Sequence, residues 1–528
     1  MATSSTPGAR EKTLAISLRR QTSRRRFLQG AAGTIGVLGA SVAAPGVFYK
    51  MADALASVPV RPAARIKTLA QEQYLLQDTQ VINVDGSGLR NTHGSVAVHV
   101  PPLHDHVVTA MLNVPPDTAT LQEAQAHLES VLVDLETRFA PTPAGVGITI
   151  AWGIPYFLGF IPRLGKASAY FGADTRFPDY LPVDLATSKE KGESVYALQE
   201  ARTFPSDTPP PGFGPVRLEE NDVAVLLRSD SLANITAATN GIFGSASNQA
   251  GSLFTVTSVR QGFAGGGFYG QQGLPSKLAL AAGIPGAGSI PRQSPLFMGF
   301  TSTLASNMGP DVIANLETLR GLTDQWPNGY FKHGTTMHLS HLYEDLETWY
   351  EKSFPTYQQQ VHAMQYPGIS PAHGTYALQP PGQSASEVAK GVTRYHSYGH
   401  SGSLSVVDST ASRTKSNYGT SYPAGTTIPV RGDFNTLDNP FQYTSDPTGD
   451  HYSSQPAAGL HFLMFQPTIE IFNKVRLAMD GHFPDSKLPV SPHSTHAGIN
   501  SVLQTTHRQN YLVPPRRHRS FPLAEFLA

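Results

Sequence analysis

The stretch that decides the fold runs from Val107 to Gly153. It opens with Val107-Val108-Thr109-Ala110-Met111-Leu112, passes through Leu121 to Phe139, and closes with Val146-Gly147-Ile148-Thr149-Ile150-Ala151-Trp152-Gly153. Both ends are rich in β-branched residues, and the Pro pairs Pro101-Pro102 and Pro115-Pro116 bound the first, so each end is predicted to be a strand. In between, Leu121, Ala124, Leu128, Val131, Leu132, Leu135 and Phe139 recur at three and four residues. That spacing predicts an amphipathic helix, with Thr118 or Thr120 as its N-cap. A strand, a helix lying on it and a second strand make a sheet covered by helix.

Working outward, Ser95 to Val100 is a further strand signal, and a Pro-rich, charged insertion spans about 175–217. Asp222-Val223-Ala224-Val225-Leu226-Leu227-Arg228 is a buried-strand pattern leading into a helix over Ser231–Ile242, and Phe254–Arg260 is another strand. Residues 264–293 carry too much Gly and Pro for regular structure. The motif then returns: Met337–Leu342 as strand, and Leu460-His461-Phe462-Leu463-Met464-Phe465-Gln466 running into a helix from Thr468 to Met479. Two such units predict an α+β chain of two similar halves. Residues 481–528, rich in Pro and His, are expected to be a loosely held tail, with Arg516-Arg517-His518-Arg519 solvated in it.

Composition narrows the chemistry. The chain has 528 residues, room for two to four domains at about 150 residues each. Lys+Arg and Asp+Glu total 39 each, and charged residues are only 15%, so no basic surface for nucleic acid is indicated. There is no Cys, which excludes disulfides, thiolate-held metal or iron–sulfur centres, thiolate-ligated haem and cysteine nucleophiles. The 19 His remain as metal ligands.

The first 56 residues resemble a twin-arginine export signal: Ser23-Arg24-Arg25-Arg26-Phe27-Leu28-Gln29, a weakly apolar run from Gly30 to Phe48, and Ala54-Leu55-Ala56 as a small-x-small cleavage site. Pro45 and five glycines make that run a poor membrane span. The expectation is export through the twin-arginine translocon to the periplasm, cell surface or medium, folded before crossing and often carrying a cofactor.

Several stretches, in order, resemble the dye-decolorising peroxidases, a haem family of two ferredoxin-like halves. They are Gly147–Gly153, Glu219–Val225, Val259-Arg260-Gln261-Gly262-Phe263, Leu296-Phe297-Met298-Gly299-Phe300-Thr301-Ser302-Thr303, Gly334-Thr335 through Asp345-Leu346-Glu347-Thr348-Trp349, Ile428–Phe434 and Gly459–Gln466. The resemblance implies antiparallel sheets covered by helices in a dimeric α/β-barrel-like arrangement, an N-terminal half over 57–295 and a C-terminal half over 296–480 that carries the haem. It implies haem b as cofactor, His400 as the iron ligand with His396 as alternative, Phe300 and Phe465 against the cofactor, and hydrogen peroxide plus a small organic reductant as substrates; an oligomer is allowed. Two departures stand out. The family's distal acid falls on Ser302, and its distal Arg falls on Val430, with Arg431 one residue on. Peroxide cleavage needs a base to move a proton and a cation to meet the departing hydroxide, so Arg431 is the candidate cation and Asp311 or Asp433 a candidate replacement acid. A haem- or hydrophobic-ligand-binding chain without turnover is the alternative, and an exported non-haem metal or scaffold protein the next.

Other patterns carry less. His338 and His341 are an odd number apart, so in a strand they face opposite ways and do not easily share a metal. His104-Asp105-His106 is expected to be surface loop, and His482, His493, His496, His507 and His518 are assigned no role. The Gly-rich runs lack the Lys-Ser/Thr of a phosphate loop, and no serine sits in a nucleophile elbow.

Overall fold

The computed structural model describes residues 47–55, 66, 68–85, 95–161, 180–207, 215–264, 273–292, 294–301, 313–352, 377–378, 393, 407–410, 412–423, 426–437, 456–479 and 499–527. The first half is built from β1 (His104–Leu112), α2 (Thr118–Arg138), β2 (Gly147–Gly153), β3 (Val223–Ser229), α3 (Leu232–Phe243) and β4 (Phe254–Phe263), preceded by a helix α1 (Val47–Leu55). All pairings are antiparallel, in the order β4-β1-β3-β2. That is the ferredoxin-like arrangement, strand–helix–strand twice with the first and third strands in the centre.

The helix over the deciding stretch buries Leu121, Ala124, Leu128, Val131, Leu132 and Leu135, as its periodicity predicts. Its N-cap is Asp117, whose carboxylate accepts from Thr120 N at 3.0 Å, rather than either threonine; an ionised cap also favours the positive end of the helix dipole. Ser231 caps α3 through Asn234 N.

The second half repeats the plan with β5 (Thr335–Glu344), β6 (Val430–Arg431), β7 (Phe434–Thr436), β8 (Gly459–Gln466), α4 (Ile469–Ala478) and β9 (Leu503–Val513). Its order is β9-β5-β8 followed by β6 and β7, again with first and third strands central. The halves join edge to edge: Tyr511 and Leu512 of β9 pair with Gly153 and Trp152 of β2, and Asn435 of β7 pairs with Phe263 of β4. Eight strands thereby close into a barrel, and closure removes the exposed sheet edges.

The fold class is as expected, but the tail is not. Residues 503–513 are a central strand, bonded to β5 along its whole length, so the second half extends beyond 480 and cannot close without the supposed tail. The basic cluster is also structural: Arg519 pairs with Glu129 at 3.0 Å and Glu136 at 2.6 Å, and Arg516 with Glu136, both acids on α2. Trp152 Nε1 donates to Arg519 O at 2.8 Å, and Phe521 and Leu523 are fully buried. The His104-Asp105-His106 run opens β1 and is buried rather than surface loop. Residues 47–55, inside the expected export signal, form α1, which buries Met51 and Ala52 and sets Asp53 Oδ1 3.0 Å from His104 Nε2. Residues 1–46 lie outside the described residues.

Three cores follow from strand alternation. Ile148, Ile150, Trp152, Val223, Val225 and Leu227 face outward under α2 and α3. Ala151, Ala224, Leu226, Met337, Leu339, Leu463, Phe465 and Tyr511 face inward and fill the barrel lumen. Met464 faces out from the second sheet onto Ile471, Phe472 and Val475 of α4.

Candidate functional site

Between the outer face of the second sheet and α4 lies a cleft, open to solvent on one side. Register fixes its wall. Ser340, Leu342 and Glu344 alternate along one face of β5; Leu460 stands opposite Leu342 and Phe462 opposite Ser340 on β8. On β9, Leu503 and Thr505 continue this face, and a bulge between Thr505 and His507 then reverses the phase. Arg508 is thereby turned to the cleft and His507 to the lumen, the re-aiming a bulge performs. Helix α4 closes the opposite side with Phe472, Val475 and Arg476.

The same alternation resolves the arginine. Val430 pairs with Phe465 and packs into the lumen, whereas Arg431 pairs with Met464 and lines the cleft. Val430 is therefore turned away from the cleft, and Arg431 faces it. Asp433, two residues on, lines the same wall, and its Oδ1 accepts from Leu463 N at 2.9 Å, standing in for a strand carbonyl.

The polar groups here are under strong electrostatic pressure. Burial, and then the neighbouring Asp433, pushes the Glu344 carboxyl up to about 8. Among the described residues neither of its buried oxygens has a hydrogen-bond partner. Burial also raises Asp433 to about 7, against the pull of Arg431 and the Leu463 N–H. Asp408, 3.7 Å from Arg431, is raised to about 7 by burial in the same way. At the far end Arg508 holds Asp207 through two bonds of 2.5 and 2.9 Å, and Arg476 adds a third at 3.1 Å. Arg508 and Arg476 thus share the Asp207 carboxylate at that end. The cleft combines apolar residues, two protonatable carboxyls and Arg431 on one lining, and two arginines at the far end.

The sequence-expected residues fall unevenly on this site. Arg431 lines it. Phe465 does not: it is three residues from Phe462, an odd number, so it points into the lumen and stacks on Tyr74 at 5.1 Å. Phe462 occupies the cleft wall in its place. Phe300 has its backbone in a two-residue strand paired with Ala377–Leu378. Ser302, Asp311, His396 and His400 lie outside the described residues. Glu344 was missed; an acid ending the alternating run Ser340-x-Leu342-x-Glu344 was the available signal.

Residues 193–515, more than half of the chain, match the model of a family of unknown function, DUF7405. The chain belongs to this family. No curated protein matches this DUF7405 chain in sequence. Among solved structures it is similar to a dye-decolorizing peroxidase from Bacteroides thetaiotaomicron, with 10% identity, a TM-score of 0.44, and 82% of this chain and 97% of that one covered. It is also similar to a DyP-type peroxidase from Cellulomonas bogoriensis (14%, TM-score 0.43, 85% and 96% covered). A third is a Rhodococcus jostii DypB variant in complex with heme (11%, TM-score 0.43, 80% and 96% covered). These are likenesses of overall architecture; the chemistry of the DUF7405 chain is set by its own side chains.

The walls suit haem b in part of its chemistry. Leu342, Leu460, Phe462 and Leu503 offer apolar contact, and Arg431, Arg476 and Arg508 offer cations for its carboxylates. Among the described residues no histidine lines the cleft: His338 is held by Asn510 Oδ1 at 2.7 Å and by Ser340 Oγ, with its ring stacked on Phe472.

Proposed function

We propose that this chain binds haem b in the cleft and uses it to oxidise a small organic reductant with hydrogen peroxide. The observation that carries this reading is the placing of two carboxyls, buried Glu344 and partly buried Asp433, on one cleft lining with Arg431 and the apolar Leu342, Leu460, Phe462 and Leu503. Haem, when bound, would supply the peroxide-dependent redox chemistry. His400 is its proposed ligand, with His396 the alternative.

The chain's own residues handle the proton and the charge. Peroxide cleavage takes a proton from one oxygen and returns it to the other, which leaves as water. Burial raises both Asp433 and Glu344 towards neutrality, so one carboxyl of the pair can be ionised and accept that proton while the other stays protonated and donates it. Arg431 meets the negative charge that develops on the departing oxygen. Ser302, at the position of the resembled family's acid, cannot act as a base at neutral pH, and the carboxyl pair takes over its task. The apolar walls keep bulk water out and strengthen each of these interactions. The Arg-Arg segment at 24–25 supports export through the twin-arginine translocon with the cofactor in place.

The test is absorption spectroscopy of the full chain expressed with ample haem. A Soret band, and peroxide consumption lowered on the order of 100-fold in Glu344→Gln with the band retained, supports the reading. A colourless protein ends it. A Soret band with no peroxide reactivity would favour the alternative of ligand binding without turnover, which Ser302 in place of the family's acid also favours.

A further inference from the structure

We propose that α1 stays in the exported chain as a docked part of the fold, and that the export signal is cut ahead of it, after Ala43, rather than after Ala56. The place of the cut rests on reading residues 1–56 as an export signal; the docking rests on the fold alone.

The helix is fixed by apolar and polar contacts together. Met51 is 6% exposed and Ala52 fully buried, with Leu55 packed beside the same core, while Lys50 is exposed. Met51 and Ala52 join Leu103, Phe263, Leu274 and Leu278 in one apolar cluster, so α1 lies on the end of β4 and on the helix Leu274–Ala281. The polar contact points inward as well. Asp53 Oδ1 lies 3.0 Å from Nε2 of His104, whose side chain is completely buried at the start of β1. The same cluster reaches the cleft, since Met298 belongs to it, Leu503 packs on it, and both line the cleft. Removing α1 would bare these apolar side chains and an imidazole to water.

The pattern Ala54-Leu55-Ala56 overlaps this helix, because Ala54 and Leu55 are its last residues. A small-x-small site is read from an extended chain, in which residues two apart share a face. In a helix they do not. A chain that folds before crossing presents α1 to the peptidase already docked, so cutting after Ala56 first requires the turn that holds Asp53 and Leu55 to unwind. Ser41-Val42-Ala43 offers the same small-x-small pattern ahead of the helix, and Pro45-Gly46, both poor helix formers, separate the two. There the peptidase adds water across the Ala43–Ala44 peptide bond, leaving a carboxylate on the released signal and Ala44 as the new amino terminus.

The experiment has two arms, both on the full chain. In a host with an active twin-arginine system, the exported protein is purified and its intact mass and first residue are read. Ala44 is expected, any start at or before Val47 supports retention of α1, and a start at Ser57 or anywhere else past Val47 overturns the proposal. The purified full chain is also treated with limiting trypsin under native conditions, which reads the opening of α1 at the Lys50–Met51 bond. Ala52→Glu, which places a charge at the buried position, should speed that cut on the order of 100-fold, and Asp53→Ala by ~10-fold. Far-UV circular dichroism checks that the rest of each variant stays folded. A wild type cut at Lys50 as fast as Ala52→Glu overturns the docking. A chain kept uncut inside the cell removes the export reading alone; slow cutting at Lys50 then still supports the docked helix and fast cutting overturns it.

Discussion

Replacing Glu344 by Gln isolates the most perturbed carboxyl of the cleft. In the folded chain its pKa rises from 4.5 to about 8, a gap of about 3.5 units, and each unit is worth about 1.4 kcal/mol. Ionising Glu344 inside the fold therefore costs on the order of 5 kcal/mol. The direction follows from proton binding. Between pH 4.5 and 8 the folded chain keeps a proton that the unfolded chain has released, so stability is fully present below 4.5 and declines as pH rises through 8. Glutamine copies the shape of the neutral acid and cannot ionise. Urea denaturation at pH 5, 6, 7, 8 and 9 should show the wild type losing several kcal/mol across this range and Glu344→Gln losing distinctly less, with the curves crossing so that the variant is the more stable at pH 9. Asp433 and Asp408, each raised to about 7, have the same sign and keep some slope in the variant. Parallel stability curves would refute the reasoning, because Glu344 would then ionise alike in both states.

Three further outcomes follow from the geometry. Arg431→Gln in haem-loaded protein should lower the rate of reaction with peroxide by ~10²-fold while the Soret band stays, in stopped-flow absorbance. Arg260→Ala should destabilise the fold by about 3–5 kcal/mol in urea titration, because it strands a Glu219 whose burial pushes its pKa up and whose partners Arg260 and His507 outweigh that and bring it down to about 2; that pair's contribution is present above pH 4.5 and is lost as pH falls towards 2. Ending the chain at Ser501 should abolish cooperative unfolding, seen by circular dichroism, because β5 and β2 both lose their partner strand.

The first half was legible because its chemistry is one-sided. Between Leu121 and Phe139 apolar residues recur on a single helix face, and the strands on either side are nearly all apolar, so pattern and burial coincide. Strand β9 hid for the opposite reason. In Leu503-Gln-Thr-Thr-His-Arg-Gln-Asn-Tyr-Leu-Val513 both faces are polar: Arg508 holds Asp207, Asn510 holds His338, and His507 holds Glu219. A bulge also breaks its alternation, so neither hydropathy nor period marks it as core. The odd spacing of His338 and His341 did separate their faces, as read, yet it could not place His507 and His461 beside His341, because three strands meet there from distant parts of the chain. Arg431 and Asp433 were visible as residue types; that they share a wall with Glu344 depends on register, which no local pattern carries.

The central claim is that the carboxyl–arginine cleft is a haem site. Its most direct measurement is the absorption spectrum and iron content of the full chain purified after haem-supplemented expression, beside a Leu503→Trp variant that fills the cleft. The account predicts one haem per wild-type chain with a Soret band, and loss of both in the folded variant. A wild type without haem, or a variant that keeps its full Soret band, would contradict it.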